Sequence, residues 1–361
     1  MDTNTATAAP PPETNVLEEE GPDHHHPMKM RQYILTVDLG EKMQLFSTLG
    51  LNVPAPEATI FVDAWQTLKH ELDNILSPTA EVLVMSTKSL ARDIVSKVSR
   101  CQSNLQSRAM REAFVVSTCP EIANLRGGAS LQINRLIDQQ GEILGIGPRP
   151  GAMPIRDQLS AIAKMAEGRP VILMEDGSFT GGTMCFILEE MKKHHIKVMA
   201  VVIGLLFSAA KQEIAKVFDG EVIVCEEKIE DPVEWMPDHD FFPFTPNSGR
   251  VFGISWCGEL MPLYSRDGAT FCAPYLLPFS PISKWASIPE EKSIQFSRVC
   301  LQLTRKIFQY LCDCNNRQLT IGEIIDTSPR VSIPICVGQK YLPHSDALIL
   351  DYFKDCIEEI D

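Results

Sequence analysis

Apolar positions along this chain fall into two alternating rhythms: short continuous runs, and stripes spaced three or four residues apart. The runs at Gln32–Val37, Glu81–Met85, Ala113–Val116, Glu142–Ile146, Val171–Met174, Val198–Leu206 and Glu221–Cys225 have the length and composition of strands. Between them, Phe61–Ile75 sets Phe61, Trp65, Leu68, Leu72 and Ile75 at helical spacing, and Leu90–Val98, Ile155–Ala166, Met184–Lys193 and Ala209–Phe218 also read as helices. Alternation of this kind predicts an α/β fold, a mainly parallel sheet with helices on both faces. In such sheets ligands bind at the carboxyl ends of strands.

The rhythm breaks at Glu226–Ile288, where prolines and aromatics crowd together, as in DPVEWMPDHDFFPFTPNSGRVFG. Prolines this dense exclude long helices and central strands, so the segment predicts an irregular cap over the sheet's ligand-binding edge. Glu290–Cys312 then predicts a long amphipathic helix with Ile294, Val299, Leu303, Ile307 and Tyr310 near one face, followed by a short strand at Val331–Val337 and a terminal helix at Ser345–Ile360. The expected organisation is a disordered acidic tail at 1–28, an α/β domain at 29–228, and the cap with a C-terminal helical region at 229–361. The tail holds His24–His26, three adjacent histidines that could bind a metal weakly but, without a fixed fourth ligand, read as incidental.

The stretch Val171–Thr183, VILMEDGSFTGGT, carries the clearest chemistry. An apolar strand delivers Glu175 and Asp176 to a sheet edge, and a turn rich in glycine and hydroxyls leads into a helix. Backbone N–H groups of Thr180–Thr183 would point at a phosphate beside the helix N-terminus, Gly181 and Gly182 would let the backbone approach closely, and the two carboxylates would accept hydrogen bonds from ribose hydroxyls. A nucleoside-triphosphate P-loop is excluded because Thr183 stands where its lysine belongs, and no G-x-G-x-x-G occurs here. A tight turn without a ligand is the competing structural reading.

This stretch resembles the phosphoribosyl-pyrophosphate (PRPP) motif of type I phosphoribosyltransferases: an apolar strand, two adjacent acids, three variable residues and Thr-Gly-Gly-Thr, with every spacing matched. The resemblance implies that Thr180, Gly181, Gly182 and Thr183 cradle the 5′-phosphate, and that Glu175 and Asp176 hold the 2′- and 3′-hydroxyls. It implies Mg²⁺ bound mainly through PRPP, with no dedicated metal cage on the protein. In some purine-specific members the residue before the threonine is an acid that handles the base proton; here it is Phe179.

Pyrophosphate needs cations. Lys88, in the strand-turn-helix VLVMSTKSLARD, and Arg126, beside Gly127-Gly128, are favoured on local turn chemistry over Arg149 and Arg156. For the acceptor, Phe179, Trp235, His239, Asp240, Phe241, Phe242 and Phe244 could form a stacking pocket, with His239 as a general acid or base. Asn247-Ser248-Gly249-Arg250 reads as a turn.

Composition narrows the picture further. At 361 residues and 44% apolar content the chain can bury a large core. A net charge of −14 argues against nucleic acid and anionic membranes, so an anionic substrate needs a local nest of cations. The eleven cysteines include no C-x-x-C pair and fit reduced thiols in the cytoplasm, with Cys185, Cys225 and Cys300 expected in the core. No run reaches the ~20 apolar residues of a membrane helix, and no secretory signal is visible. The expected function is phosphoribosyl transfer from PRPP to an acceptor such as a nucleobase, with release of pyrophosphate. The alternatives are a non-catalytic sensor of PRPP or nucleotide, an interaction protein that keeps the fold, and a hydrolase or lyase of a ribose-phosphate compound. The expected ligand is PRPP or another ribose phosphate, and a homodimer is a possible assembly.

Overall fold

The computed structural model describes residues 31–109, 112–123, 127–228, 232–328, 330–338 and 343–360. The chain begins with β1 (Arg31–Val37), the short α1 (Leu39–Met43) and the long α2 (Thr59–Leu76). Next, β2 (Ala80–Ser86) runs straight into α3 (Thr87–Ala109), followed by β3 (Phe114–Ser117), β4 (Ala129–Ser130), and the antiparallel pair β5 (Ile133–Ile137) and β6 (Ile143–Pro148). Strand and helix then alternate as expected: α4 (Ile155–Ala166), β7 (Val171–Ser178), α5 (Gly182–Lys193), β8 (Val198–Phe207), α6 (Ser208–Val217) and β9 (Glu221–Lys228).

These elements build a parallel sheet in the order β4-β3-β7-β8-β9. Its interior strand β8, flanked by β7 and β9, reads VMAVVIGLLF with hardly a polar group, because both of its faces are covered. The period of two sorts its side chains. Val201 and Ile203 pack toward Leu159, Ile162, Ile187 and Ile214 of α4, α5 and α6, whereas Ala200 and Val202 pack toward Leu90, Ile94 and Val98 of α3. The expected α/β architecture, a parallel sheet with helices on both faces, is present.

The proline- and aromatic-rich stretch differs from expectation. It contains β10 (Pro232–Pro237), β11 (Arg250–Trp256), β12 (Glu259–Pro262) and β13 (Phe271–Ala273) rather than an irregular cap. Prolines decide where these strands go. Pro232 and Pro237 bound β10, which lies at the edge of a second parallel sheet, β10-β1-β2, where a missing N–H costs little. The proline-free β11 takes a central place in a third, mixed sheet of order β14-β13-β11-β5-β6, with β12 also paired to β11. The remaining elements are α7 (Ile282–Trp285), α8 (Ser293–Cys314), α9 (Ile321–Ile324), β14 (Ile333–Pro334), shorter than the expected Val331–Val337, and α10 (Ile349–Glu359).

The division expected at residue 228 is crossed by the packing. β1 pairs with β10 about its whole length, and one apolar core joins Tyr33, Leu35, Leu68 and Val82 to Phe241, Phe296, Phe308 and Phe353. The buried face of α8 is set by Phe296, Cys300, Ile307, Phe308 and Leu311; Ile294 and Tyr310, expected on that face, are exposed. Cys300 is buried as expected, while Cys185 and Cys225 are half-buried against their sheets. No helix among the described residues is long and apolar enough to cross a membrane.

Candidate functional site

β7 extends past the expected Met174 to Ser178, because its ladder with β8 continues through Gly177↔Leu205 and Ser178↔Leu206. Glu175 and Asp176 therefore sit on a strand that β8 still holds along one side, beyond the end of its ladder with β3 at Met174, a stiffer platform than a loop. Two glycines make this possible. A Cβ at Gly177 would lie 2.3 Å from the Trp235 ring, and one at Gly204 on β8 would lie 2.3 Å from the Asp176 carbonyl oxygen. The chain then turns at Gly181, where φ is +85°, into α5. No side chain caps the first turn of α5, so its leading N–H groups are free for a ligand.

A cavity of about 390 Å³ opens here, within the roughly 300–1,000 Å³ usual for small-ligand sites. It lies where the carboxyl ends of β1, β3, β7 and β10 converge, with β5 and β11 closing the far side. Glu175, Asp176, Phe179, Gly181, Thr183 and His239 of the expected site line it. Thr180 and Gly182 are exposed on the same turn and do not line it.

Beyond β3, the Thr118 hydroxyl donates to Glu175 Oε2 at 2.5 Å, with the Met174 carbonyl 2.9 Å away. Burial first, and then the Asp176 charge, push the Glu175 carboxyl well above its ordinary range. Burial, again ahead of Asp176 and Glu175, raises the neighbouring Cys119 thiol, which stays neutral. Donor atoms of Cys119, Glu175 and Asp176 lie within 4.8 Å of one another. The two carboxylates suit a hard cation such as Mg²⁺ and the neutral thiol does not.

Cations are supplied by Arg149, which the sequence offered only behind Lys88 and Arg126, and by Arg330 and Arg135, which it did not bring forward. Glu121 carboxylate oxygen Oε1 accepts from both Arg149 Nη1 and Arg330 Nη1. Arg149 also donates to the Ile133 carbonyl at 2.9 Å and the Thr118 carbonyl at 3.2 Å, and Arg330 to Gln132 Oε1 at 2.7 Å. Burial would raise the Glu121 carboxyl, but Arg149 and then Arg330 outweigh it and hold it at about 2. Two guanidiniums sharing one carboxylate leave a net positive charge on this wall. Arg135 adds a third guanidinium, donating from Nε to Thr183 Oγ1 at 3.3 Å.

Lys88 does not join them. Its side chain is 68% exposed at the start of α3 and pairs across solvent with Glu57 at 3.7 Å. Arg126 lies outside the described residues. Arg156 is exposed and faces Glu259 at 3.7 Å.

The wall opposite is built after β1 and β10. His239 Nδ1 meets Asp38 Oδ1 at 2.5 Å, and Lys42 Nζ lies 3.7 Å from Asp38 Oδ2. Asp238 accepts the N–H groups of Asp38 and Leu39 at 2.9 and 3.1 Å, which anchors the start of α1. Burial alone would raise Asp38, yet the His239 and Lys42 charges outweigh it and hold this carboxyl far below the usual range. Burial, followed by the charge of Asp38, raises Asp238. The Asp38–Asp238–His239 group thus carries its own cation in Lys42.

Phe241, expected in the acceptor pocket, is fully buried and packs edge-on to Phe296 at 5.3 Å. The cause is local: residues Asp238–Phe241 form one 3₁₀ turn, which sends His239 and Asp240 to the cavity and Phe241 into the core with Phe242 and Phe244. Phe179 does face the cavity, braced edge-on by Phe207 at 4.9 Å, and Trp235 stacks on the same ring at 6.3 Å. Further along, Arg250 lies 4.1 Å above the Trp285 ring and donates to Tyr275 Oη at 3.1 Å. The Asn247–Gly249 turn also lines the cavity, and Asp240 accepts the Gly249 N–H at 2.8 Å.

The sequence matches no protein-family model and no curated protein sequence. Among solved structures, part of the chain is similar to an adenine phosphoribosyltransferase from Giardia lamblia complexed with 9-deazaadenine, at 12% identity over 38% of this chain and 85% of that one, with a TM-score of 0.26. It is similar to another adenine phosphoribosyltransferase at 11% identity, 37% and 79% coverage and a TM-score of 0.24. A third, from Thermoanaerobacter pseudethanolicus, gives 11% identity, 42% and 91% coverage and a TM-score of 0.25.

Proposed function

We propose that this chain binds PRPP at Glu175–Thr183 and transfers its phosphoribosyl group to an acceptor in the same cavity, releasing pyrophosphate. The observation that carries this reading is the meeting, in one cavity, of the Glu175–Asp176 pair, the uncapped first turn of α5 and the Arg149–Arg330 pair. Each answers one part of a phosphorylated sugar diphosphate. The α5 amides and the Thr183 hydroxyl take the 5′-phosphate, the carboxylates take the ribose hydroxyls, and the guanidiniums take pyrophosphate. Mg²⁺, bound mainly through PRPP oxygens and fitted by the Glu175 and Asp176 carboxylates, would neutralise charge developing on pyrophosphate.

Phosphoribosyl transfer breaks the C1–pyrophosphate bond while positive charge grows on the sugar. The protein's part is to hold both reactants in line and keep the leaving group's charge satisfied. Titration calorimetry of PRPP with Mg²⁺ tests the site. Saturable binding is expected in wild type, and is expected to be lost in a folded Thr180→Ala/Thr183→Ala protein. Normal turnover of PRPP by a folded Asp176→Asn protein would count strongly against the reading.

A sensor without turnover is the second reading, favoured by Glu121, which already occupies the arginine pair. A sensor would bind PRPP and release no pyrophosphate.

A further inference from the structure

The side of the cavity closed by β5 and β11 carries two arginines that the PRPP reading leaves without a task. The strands run parallel, with Val251 opposite Leu136 and Phe252 opposite Ile137. Arg250 and Arg135, one step earlier on each strand, are therefore ladder neighbours on one face. Both line the cavity. Like charges set side by side on a sheet repel, unless a counter-charge stands between them. Arg149 and Arg330 have one, since they share Glu121. Arg135 and Arg250 have none: among the described residues neither forms an ion pair.

Each guanidinium is aimed by its Nε and keeps its Nη groups open. Arg135 Nε donates to Thr183 Oγ1 at 3.3 Å and Arg250 Nε to Tyr275 Oη at 3.1 Å, and among the described residues neither side chain makes a further hydrogen bond. Arg250 Cζ also lies 4.1 Å from the centre of the Trp285 ring and 5.2 Å from that of Tyr275, so cation–π attraction seats it against the wall. Glu234 is the acid that feels both guanidiniums, and its oxygens are spent elsewhere. Oε1 accepts the Trp235 N–H at 3.2 Å, and Oε2 the Ser287 hydroxyl at 3.1 Å. Burial outweighs both arginines and raises the Glu234 carboxyl, which weakens it further as a counter-charge. Two guanidinium forks with unclaimed Nη groups suit a planar anion held by parallel charge-assisted hydrogen bonds.

The phosphates of PRPP already have takers in the α5 turn and the Arg149–Arg330 pair, so the unclaimed pair is left for the acceptor. We propose that Arg135 and Arg250, side by side on β5 and β11, form an anion subsite, and that the acceptor is an acid whose carboxylate docks there. This inference rests on the PRPP reading above and names the substrate class of the same cavity. The carboxylate is a handle that forms no bond to C1. The pair also supplies the local positive charge that an acidic acceptor needs in a chain of net charge −14.

The test loads the full chain with PRPP and Mg²⁺ and titrates matched compounds by calorimetry, with pyrophosphate release followed in parallel. The pairs are nicotinate against nicotinamide, anthranilate against aniline, and uracil-6-carboxylate against uracil. At least one acid is expected to bind, about tenfold or more tighter than its neutral partner. Arg250→Gln is expected to weaken that acid by about tenfold or more and to bind PRPP within about twofold of wild type. Arg135→Gln, at an exposed position, is expected to weaken the same acid and carries the readout if Arg250→Gln melts early. Binding of no acid to the loaded chain, neutral partners that bind as tightly, or unchanged acid affinity in both folded variants overturns the proposal. So does an acid that displaces PRPP, or an equal loss of PRPP affinity in Arg250→Gln, because the pair would then serve a phosphate. Absence of PRPP binding in wild type overturns the parent reading and this one with it, whereas failure on the loaded chain leaves the parent reading standing.

Discussion

Replacing Glu121 by glutamine keeps the size of the side chain and removes the one carboxylate shared by Arg149 and Arg330. The gap between an ordinary glutamate near 4.5 and the value of about 2 for Glu121 corresponds to about 3 kcal/mol. The Glu121 side chain is 15% exposed, so solvent screens little of this. The figure agrees with the roughly 3–5 kcal/mol cost of removing one partner from a buried ion pair. The sign follows from the direction. A carboxyl held low in the folded state stabilises the fold fully above its unfolded pKa, and this contribution fades as pH falls from about 4.5 toward 2. Urea unfolding of wild type and Glu121→Gln should therefore differ by about 3 kcal/mol at pH 7, and the difference should shrink between pH 4 and pH 2. Inorganic pyrophosphate should stabilise the variant more than wild type, since its guanidiniums lack a counter-charge. Equal unfolding midpoints at pH 7, or a gap that does not change with pH, would refute the assignment of Glu121 as the clamp.

Gly204→Ala would drive a Cβ against the Asp176 carbonyl at 2.3 Å and Leu90 Cδ1 at 2.9 Å; a loss of about 1–3 kcal/mol by urea unfolding is expected, with weaker PRPP binding by calorimetry because the displaced backbone carries Asp176. Phe308→Ala removes a ring packed against Phe46, Phe244 and Phe353, and should cost about 3–5 kcal/mol in a thermal melt without altering the sheet that carries Glu175. Lys88→Ala should change stability by no more than about 0.5 kcal/mol and leave PRPP affinity unchanged, because its exposed pair with Glu57 stands away from the cavity; a clear loss of affinity would restore Lys88 to the site.

What could be read from the residues alone was what is local. Val171–Thr183 encodes its own strand, turn and helix, since each signal lies within a few residues of the next, and α4 begins and ends where the periodicity places it. Arg149 was visible only as one arginine among several, because its partner Glu121 comes from a different loop. Arg330 and Asp38 carry no local signal at all. Arg330 reaches the cavity through Glu121, 209 residues away in sequence, and Asp38 gains its chemistry from His239, 201 residues away. His239 could be named from its chemistry alone, but Phe241 was misplaced because a 3₁₀ turn sends neighbouring side chains to opposite sides, which composition does not reveal. The strands within the proline-rich region were hidden for a related reason: proline forbids a central ladder position, yet tolerates an edge, and which strand is the edge is a property of the whole sheet.

The pairing of β1 with β10 has a consequence for how the protein is made. Thr36 and its ladder partner Pro237 lie about 200 residues apart, so at a synthesis rate of about 5–20 residues per second β1 waits roughly 10–40 s for the strand that completes its sheet. During that interval Asp38 has no histidine, and the apolar faces of α2 and β2 have no α8 to cover them. The five-stranded sheet, by contrast, closes as soon as β9 emerges. A nascent chain would thus finish its phosphate-binding turn early and its histidine wall late, leaving a period in which the half-built cavity exposes apolar surface and invites chaperone capture.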